Sequence, residues 1–322
     1  MAGRRFSSLV PMIAALVLLV LPGVLSPYAQ GLVAKIMVYA VFALSLELLV
    51  GTTGLVSLGH AAFLGIGAYV TVLAAPESGG NALLWLMPLA MVAAALYAVA
   101  VGLLSLRTQG VYFIMVTLAF AQMAYFVFHD TKLAGGSDGL YLYVRPVLGF
   151  GSTTLLDPAE GRQLYLLVWA VLVATYALLA MLTRSRFGHA LAGIRVNEQR
   201  MRAAGYRTQH YKLAAFVIAG ALAGVAGCLL AVKDGVVNPE LLSWHESGAV
   251  LLMLILGGLG HLRGAVIGAV AFTLLKEFFA SESLVGPLAP HWQLSLGLSI
   301  IVLVAALPRG LMGLKSLWRP RG

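Results

Sequence analysis

The sequence predicts an all-α polytopic membrane protein with about ten transmembrane helices and both termini in the cytoplasm. Three observations carry this. First, 61% of the 322 residues are hydrophobic and only 10% are charged, with a mean hydropathy of +0.94. A soluble domain is about one-quarter charged, and so few charges cannot coat a water-facing surface of this size. Second, the apolar runs last about 17 to 25 residues, the length of a spanning helix, whereas barrel strands alternate over about ten. Third, the basic residues sort to one side of the resulting topology.

The spans follow in order at 7–27, 31–50, 54–75, 82–106, 108–128, 163–183, 211–232, 247–262, 264–280 and 291–307. The first begins after Arg4 and Arg5. Pro22 and Pro27 interrupt its far end and no small-residue cleavage site follows, so it reads as a retained span rather than a leader. The third lies within residues 51–75, the stretch around which the chain is organised. That stretch carries glycines at 51, 54, 59, 65 and 67 with Ser57 and His60. Each glycine costs a helix interior up to about 1 kcal/mol relative to alanine. That cost is offset where helices approach closely or where a broken helix lines a protected path. Both readings stand at this point. The eighth and ninth spans are short and separated only around Arg263. Gly220, Gly224, Gly264 and Gly268 stand at four-residue spacings that permit close helix approach. One echo suggests two halves: 58–60 with 66–68 recurs as 259–261 with 267–269, offset by 201 residues.

With the N-terminus inside, the inner side receives fifteen of the 21 Lys and Arg residues, including Lys315, Arg319 and Arg321. Ten of the 12 acidic residues fall outside. The chain reads as one transmembrane domain over 1–322 with two large loops. The outer loop, 129–162, contains the turn-forming run Gly135, Gly136, Ser137, Asp138 and Gly139. The inner loop, 184–212, holds seven basic residues and Glu198. A charge run is often only solvated and orienting. Against that, Phe187, Leu191, Ile194 and Met201 share one helical face, with Arg195, Glu198, Arg200 and Arg202 mostly off it. Gly205 is placed to end the helix. This predicts an amphipathic helix over 187–204 that docks a partner.

The net charge of +9 comes without an aromatic-interleaved basic surface, so no nucleic-acid partner is expected. Cys228 is the only cysteine, which excludes an intrachain disulfide and a thiolate metal cluster; no metal site is expected. The chain has no phosphate loop, no H-E-x-x-H and no G-x-S-x-G, and no nucleophile–base pair that would mark an enzyme. Glu47 and His60 are the main ionisable groups inside spans. Glu47 either reaches the inner interface or lines a path; His60 is either packed and hydrogen-bonded or on the path. Ion-coupled carriers rely on intramembrane carboxylates, which are scarce here. Uphill transport would then draw its energy from a partner docked below.

Residues 57–63 (SLGHAAF) and 65–69 (GIGAY) resemble the signature of the permeases of branched-chain amino acid ABC importers. Residues 135–140 (GGSDGL), 194–198 (IRVNE), 211–216 (YKLAAF) and 256–260 (LGGLG) match in the same order. The resemblance implies an ABC importer permease fold in a bacterial inner membrane. It also implies a second homologous permease, two ATP-binding subunits and a periplasmic solute-binding protein. ATP-Mg would be used by those subunits, with no cofactor in this chain. It assigns the coupling role to Phe187, Ile194, Arg195, Glu198, Arg200, Met201 and Gly205, although the E-A-A-x-x-x-G pattern is degenerate. Substrate would pass near Glu47, Ser57, Gly59, His60, Gly65 and Gly67. The outer gate or binding-protein dock would lie at Gly136, Ser137, Asp138 and Gly139. Relatives of this kind also carry other small polar solutes. The rival reading is an ATP-independent carrier or channel.

Overall fold

The computed structural model describes residues 2–76, 80–150 and 153–313. Lys315, Arg319 and Arg321 lie outside the described residues. The helices are α1 (Ala2–Val20), α2 (Pro27–Thr53), α3 (His60–Ala74), α4 (Leu83–Ser105), α5 (Val111–Asp130), α6 (Gly161–Arg184) and α7 (Arg186–Val196). They continue with α8 (Glu198–Ala203), α9 (Thr208–Asp234), α10 (Trp244–Gly257), α11 (Leu262–Ala280), α12 (Glu282–Val285) and α13 (Trp292–Ala306).

Two helices form the centre. In α2 and α9, 83% of the most apolar stretch is buried, against 33% in α4, 22% in α5 and 28% in α6. The outer helices are nearly as apolar, and they turn Leu96, Leu103, Met115, Met123 and Phe126 outward. Only a lipid solvent satisfies such a surface. The chain is thus a multi-pass membrane protein with a protein-facing core and a lipid-facing rim.

Close approach in the core depends on glycine. An added Cβ at Gly227 would strike the Leu64 carbonyl and the Ala68 amide of α3. At Gly224 it would meet Ala94 and Ala90 of α4. At Gly268 it would strike the Met253 carbonyl of α10. Gly224 and Gly268, one from each four-residue pair, thus sit directly against a neighbouring helix backbone.

The expected span boundaries need correction in three places. The third span, 54–75, is interrupted. α2 ends at Gly54 in the left-handed conformation (φ 74°), residues 54–59 are non-helical, and α3 starts only at His60. With 15 residues, α3 is about 22 Å long, shorter than a hydrocarbon core of about 30 Å. The eighth and ninth spans, α10 and α11, meet at a 114° bend across 258–261. Gly258 (φ 112°) and Gly260 (φ 85°) make that bend, a backbone course closed to other residues without strain. Among the described residues, by length and composition six helices suffice to cross alone, or seven spans if the bent pair counts as one. The third correction is the expected inner helix 187–204. It breaks at Asn197 (φ −157°, ψ 99°), whose side chain caps α8 by accepting from the Arg200 amide at 2.9 Å.

The sequence echo coincides with the two interruptions. Its first copy spans the α2–α3 break and its second spans the α10–α11 bend. At the far end of the molecule, β1 (Leu140–Tyr141) pairs antiparallel with β4 (Val236–Val237), and β2 (Leu148–Phe150) pairs with β3 (Thr153–Leu156). The first pairing ties the outer loop to the link after α9.

Candidate functional site

The two interruptions and the inner loop converge on Arg195, at the end of α7. Its guanidinium donates to the Gly51 carbonyl in the last turn of α2. The last carbonyls of a helix have no intrahelical partner and carry the negative end of its dipole, so a cation is favoured there. The same side chain lies against Gly54, and its Nη1 lies near Gly260 of the α10–α11 bend. Glu47, one turn before Gly51, is 2% exposed. Its carboxyl group folds against Gly51, with the Gly260 and His261 amides and the Arg195 charge directed at it. Its Oε2 has no partner in hydrogen-bonding geometry among the described residues. Glu47 therefore does not reach an open interface; it is buried where three segments meet.

His60 opens α3 and is fully buried. Ser45 of α2 donates to the Phe42 carbonyl at 2.7 Å, so its hydroxyl accepts from His60 Nε2 at 2.8 Å. With the Ser45 proton so engaged, the neutral ring carries its own proton on Nε2, and Nδ1 has no partner among the described residues. Phe42 stacks on the ring and Phe63 meets it edge-on, at centroid distances of 5.4 and 5.5 Å. His60 is a packed histidine that pins α3 to α2. Ser57 is buried and accepts from the Gly59 amide at 3.3 Å, holding the non-helical segment in a turn. The remaining glycines are contact points. Gly59 meets the Thr117 carbonyl of α5, Gly65 meets Leu242, and Gly67 meets the Gly224 backbone of α9. Sequence reasoning missed Ser247 of α10, which accepts from the Ala61 amide at 2.9 Å and so caps the start of α3. No local pattern connects residues 186 apart in the chain.

The inner loop turns its apolar stripe inward. Leu191 and Ile194 are buried against the helix bundle, Phe187 stacks on Tyr211 at 5.7 Å, and Met201 covers Gly193. The expectation that this stripe docks a partner is corrected: the protein itself consumes it. The outward face is polar, with exposed Arg195, Asn197, Gln199, Arg200 and Arg202, and with Val196 at 84% exposure. Glu198 also looks inward, accepting from Lys212, from Arg202 at 2.7 Å and from Thr208 at 2.9 Å. Burial opposes its ionisation, but these donors outweigh burial and hold its carboxyl below the usual carboxylate range. Gly205 (φ 87°) closes α8, with the Tyr206 amide returning to the Met201 carbonyl at 3.1 Å.

In the outer loop Gly135, Gly136 and Gly139 all have positive φ, and Gly139 packs on the Val237 carbonyl beside the β1–β4 pair. That frame leaves Ser137 and Asp138 exposed at the tip, hydrogen-bonded to each other at 3.2 Å.

Known proteins then give this architecture a context. Residues 28–307 match the family described as "Branched-chain amino acid transport system / permease component". The chain is 30% identical to the high-affinity branched-chain amino acid transport system permease protein LivM of Escherichia coli K12, over 97% of this chain and 73% of the relative. The LivM protein of Salmonella typhimurium is also 30% identical, over 94% and 71%. The LivH permease of Salmonella typhimurium is 25% identical over 85% of this chain and 91% of its own length. No solved structure matches the chain. A family match over most of the sequence, on a lipid-rimmed helical core with the signature residues at its interruption, makes the chain a member of the family of branched-chain amino acid transport system permease components.

Proposed function

We propose that this chain is one of two permease subunits of an ATP-driven importer of branched-chain or closely related amino acids in a bacterial inner membrane. A second, LivH-like permease completes the pathway. Two ATP-binding subunits sit on the polar outer face of α7 and α8 and use ATP-Mg; this chain holds no cofactor. A periplasmic binding protein delivers the solute at Ser137 and Asp138, beside Gly136 and Gly139. Ten helices cross, with both termini inside: α1 to α6, α9, α10, α11 and α13. Internal contacts support that topology. Arg195 touches the α2–α3 and α10–α11 breaks, which puts them at one end with α7, while the β1–β4 pair joins the loops of the other end.

The observation that carries the ATP-driven reading is Arg195. It is the point at which a loop outside the bundle grips both helix interruptions of the core. When the ATPase pair closes, a shift of α7 reaches the segment 54–59 through Arg195, with Glu47 as the buried counter-charge. Ser57, Gly59 and His60 move with that segment, and Gly65 and Gly67 hold α3 on its neighbours while it does so. In this scheme Phe187, Ile194, Met201 and Glu198 position the loop, while Arg200 makes partner contact.

The test is reconstitution in proteoliposomes with the two ATPase subunits, the second permease and the binding protein. Leucine uptake that requires ATP and every component is expected. Accumulation of leucine against its gradient by this chain alone, without nucleotide, overturns the proposal.

A further inference from the structure

A cavity of about 360 Å³ opens among α2, α10, α11 and α13, at the end of the bundle opposite α7 and α8. That size lies at the lower end of the range for small-molecule sites. Its lining is unlike the rest of the core. Lys35 and Lys276 supply two positive charges, Glu240 and Glu246 two negative ones. Met253, Phe272 and Trp292 supply an apolar wall. Among the described residues no ion pair within 4.0 Å joins either lysine to either glutamate. Each sign is held in place by another group. Lys276 Nζ lies over the Trp292 ring, 5.2 Å from its centroid. The Tyr39 side chain lies beside the Glu246 carboxyl group in the cavity wall. Opposite charges in a shared low-dielectric cavity attract strongly, and holding them apart leaves both signs open to a ligand.

We infer that this cavity is a binding site for a zwitterionic α-amino acid with a small apolar side chain. Lys35 and Lys276 receive its carboxylate, Glu246 and Glu240 its ammonium group, and Met253, Phe272 and Trp292 its side chain. With His245, which also lines the cavity, counted as a neutral imidazole, the cavity's formal charge sums to zero, which favours a neutral zwitterion over a singly charged ligand. The inference rests on the amino-acid-import reading only for the ligand's class. Phosphatidylethanolamine headgroups share the zwitterionic chemistry, so the test separates the two sources.

The experiment uses the full chain, purified with its accompanying subunits into nanodiscs of phosphatidylglycerol alone, without nucleotide or binding protein. The readout is the fluorescence of Trp292, isolated by subtracting the signal of W292F. Leucine is compared with 4-methylpentanoate, which lacks the ammonium group, and with 3-methylbutylamine, which lacks the carboxylate. Leucine should change the signal saturably, with each single-charge analogue about tenfold weaker or more. K276M and E246Q should each weaken leucine by a similar factor. The inference is overturned by no response to leucine, by equal responses to all three compounds, or by variants that bind as the unaltered chain does. It is also overturned if a response appears only in phosphatidylethanolamine discs and leucine does not displace it. The analogue comparison needs no variant, so misfolding of K276M or E246Q leaves it decisive. ATP-driven uptake, measured after the same purified complex is reconstituted into proteoliposomes with ATP and the binding protein, reports separately on the import proposal. Uptake without cavity binding sinks only the cavity; binding without uptake sinks only the import proposal.

Discussion

Arg195 shows how one side chain joins distant segments. Its guanidinium donates to the Gly51 carbonyl at the C-terminal end of α2, and its charge also acts on the buried carboxyl group of Glu47. R195A is expected to leave the nucleotide hydrolysis of the assembled importer running while lowering leucine uptake about tenfold or more, since a charged hydrogen bond contributes about 1.5–3 kcal/mol. R195K should not restore it, because an ammonium point cannot span partners that a planar fork reaches. Equal losses of hydrolysis and uptake in R195A would argue against a transmitting role. The glycines make a second residue-scale prediction. G67V places a branched side chain against the Gly224 backbone and should destabilise the fold by about 1–3 kcal/mol or prevent assembly. G297A, where an added Cβ meets nothing within 4 Å, should be neutral or stabilising by about 0.5 kcal/mol. Thermal unfolding in detergent compares the two. Residues such as Gly59 and Gly67 were legible as special in the sequence. Their partners, the Thr117 carbonyl and the Gly224 backbone, were not, because a glycine's reason lies in the neighbour it admits.

At the scale of elements, α7 and α8 illustrate where periodicity succeeds and where it stops. The stripe Phe187, Leu191, Ile194 predicted a helix with one apolar face, and α7 is that helix. Periodicity cannot say whether the apolar face meets a partner or the chain's own bundle; burial of Leu191 and Ile194 decides for the bundle. It also ran past Asn197, whose capping side chain competes with helix continuation. L191D should therefore unfold or misassemble the permease, whereas R200A, on the exposed face, should change stability by no more than about 0.5 kcal/mol. R200A should instead weaken co-purification of the ATPase subunits. Glu198 gives the α8–α9 junction a pH dependence. Its folded-state pKa lies below the ordinary carboxylate value of about 4.3, so its stabilisation is present above that value. It is lost as pH falls through the lower, folded-state pKa. E198Q should lower the unfolding temperature at neutral pH, and the gap to the unaltered protein should close as the medium becomes strongly acidic. A gap that persists unchanged in strong acid would contradict the assignment.

For the whole molecule, the proposed topology is open to direct chemical mapping because Cys228 is the only cysteine and is buried. In a C228A background, S137C should react with an impermeant maleimide from outside intact spheroplasts. Q199C should react only after permeabilisation. Labelling of both from the same side would remove the ten-crossing arrangement. Composition, span length and charge asymmetry sufficed for the membrane class and the helical architecture, while the family was legible in the ordered motifs at 57–69, 135–140, 194–198, 211–216 and 256–260. Class and architecture are each a sum over many residues and tolerate local error. The breaks at 54–59 and 258–261 were visible only as glycine clusters, which serve close packing and interruption equally well. Their joining through Arg195 and Glu47 was not visible at all, nor was the mixed-charge cavity on α2, α10, α11 and α13. Sequence by itself determined which stretches prefer lipid and in what order they lie. Tertiary structure alone decided which of them touch, because contacts between residues 144 apart, such as Arg195 and Gly51, arise from helix packing and leave no local pattern in the chain.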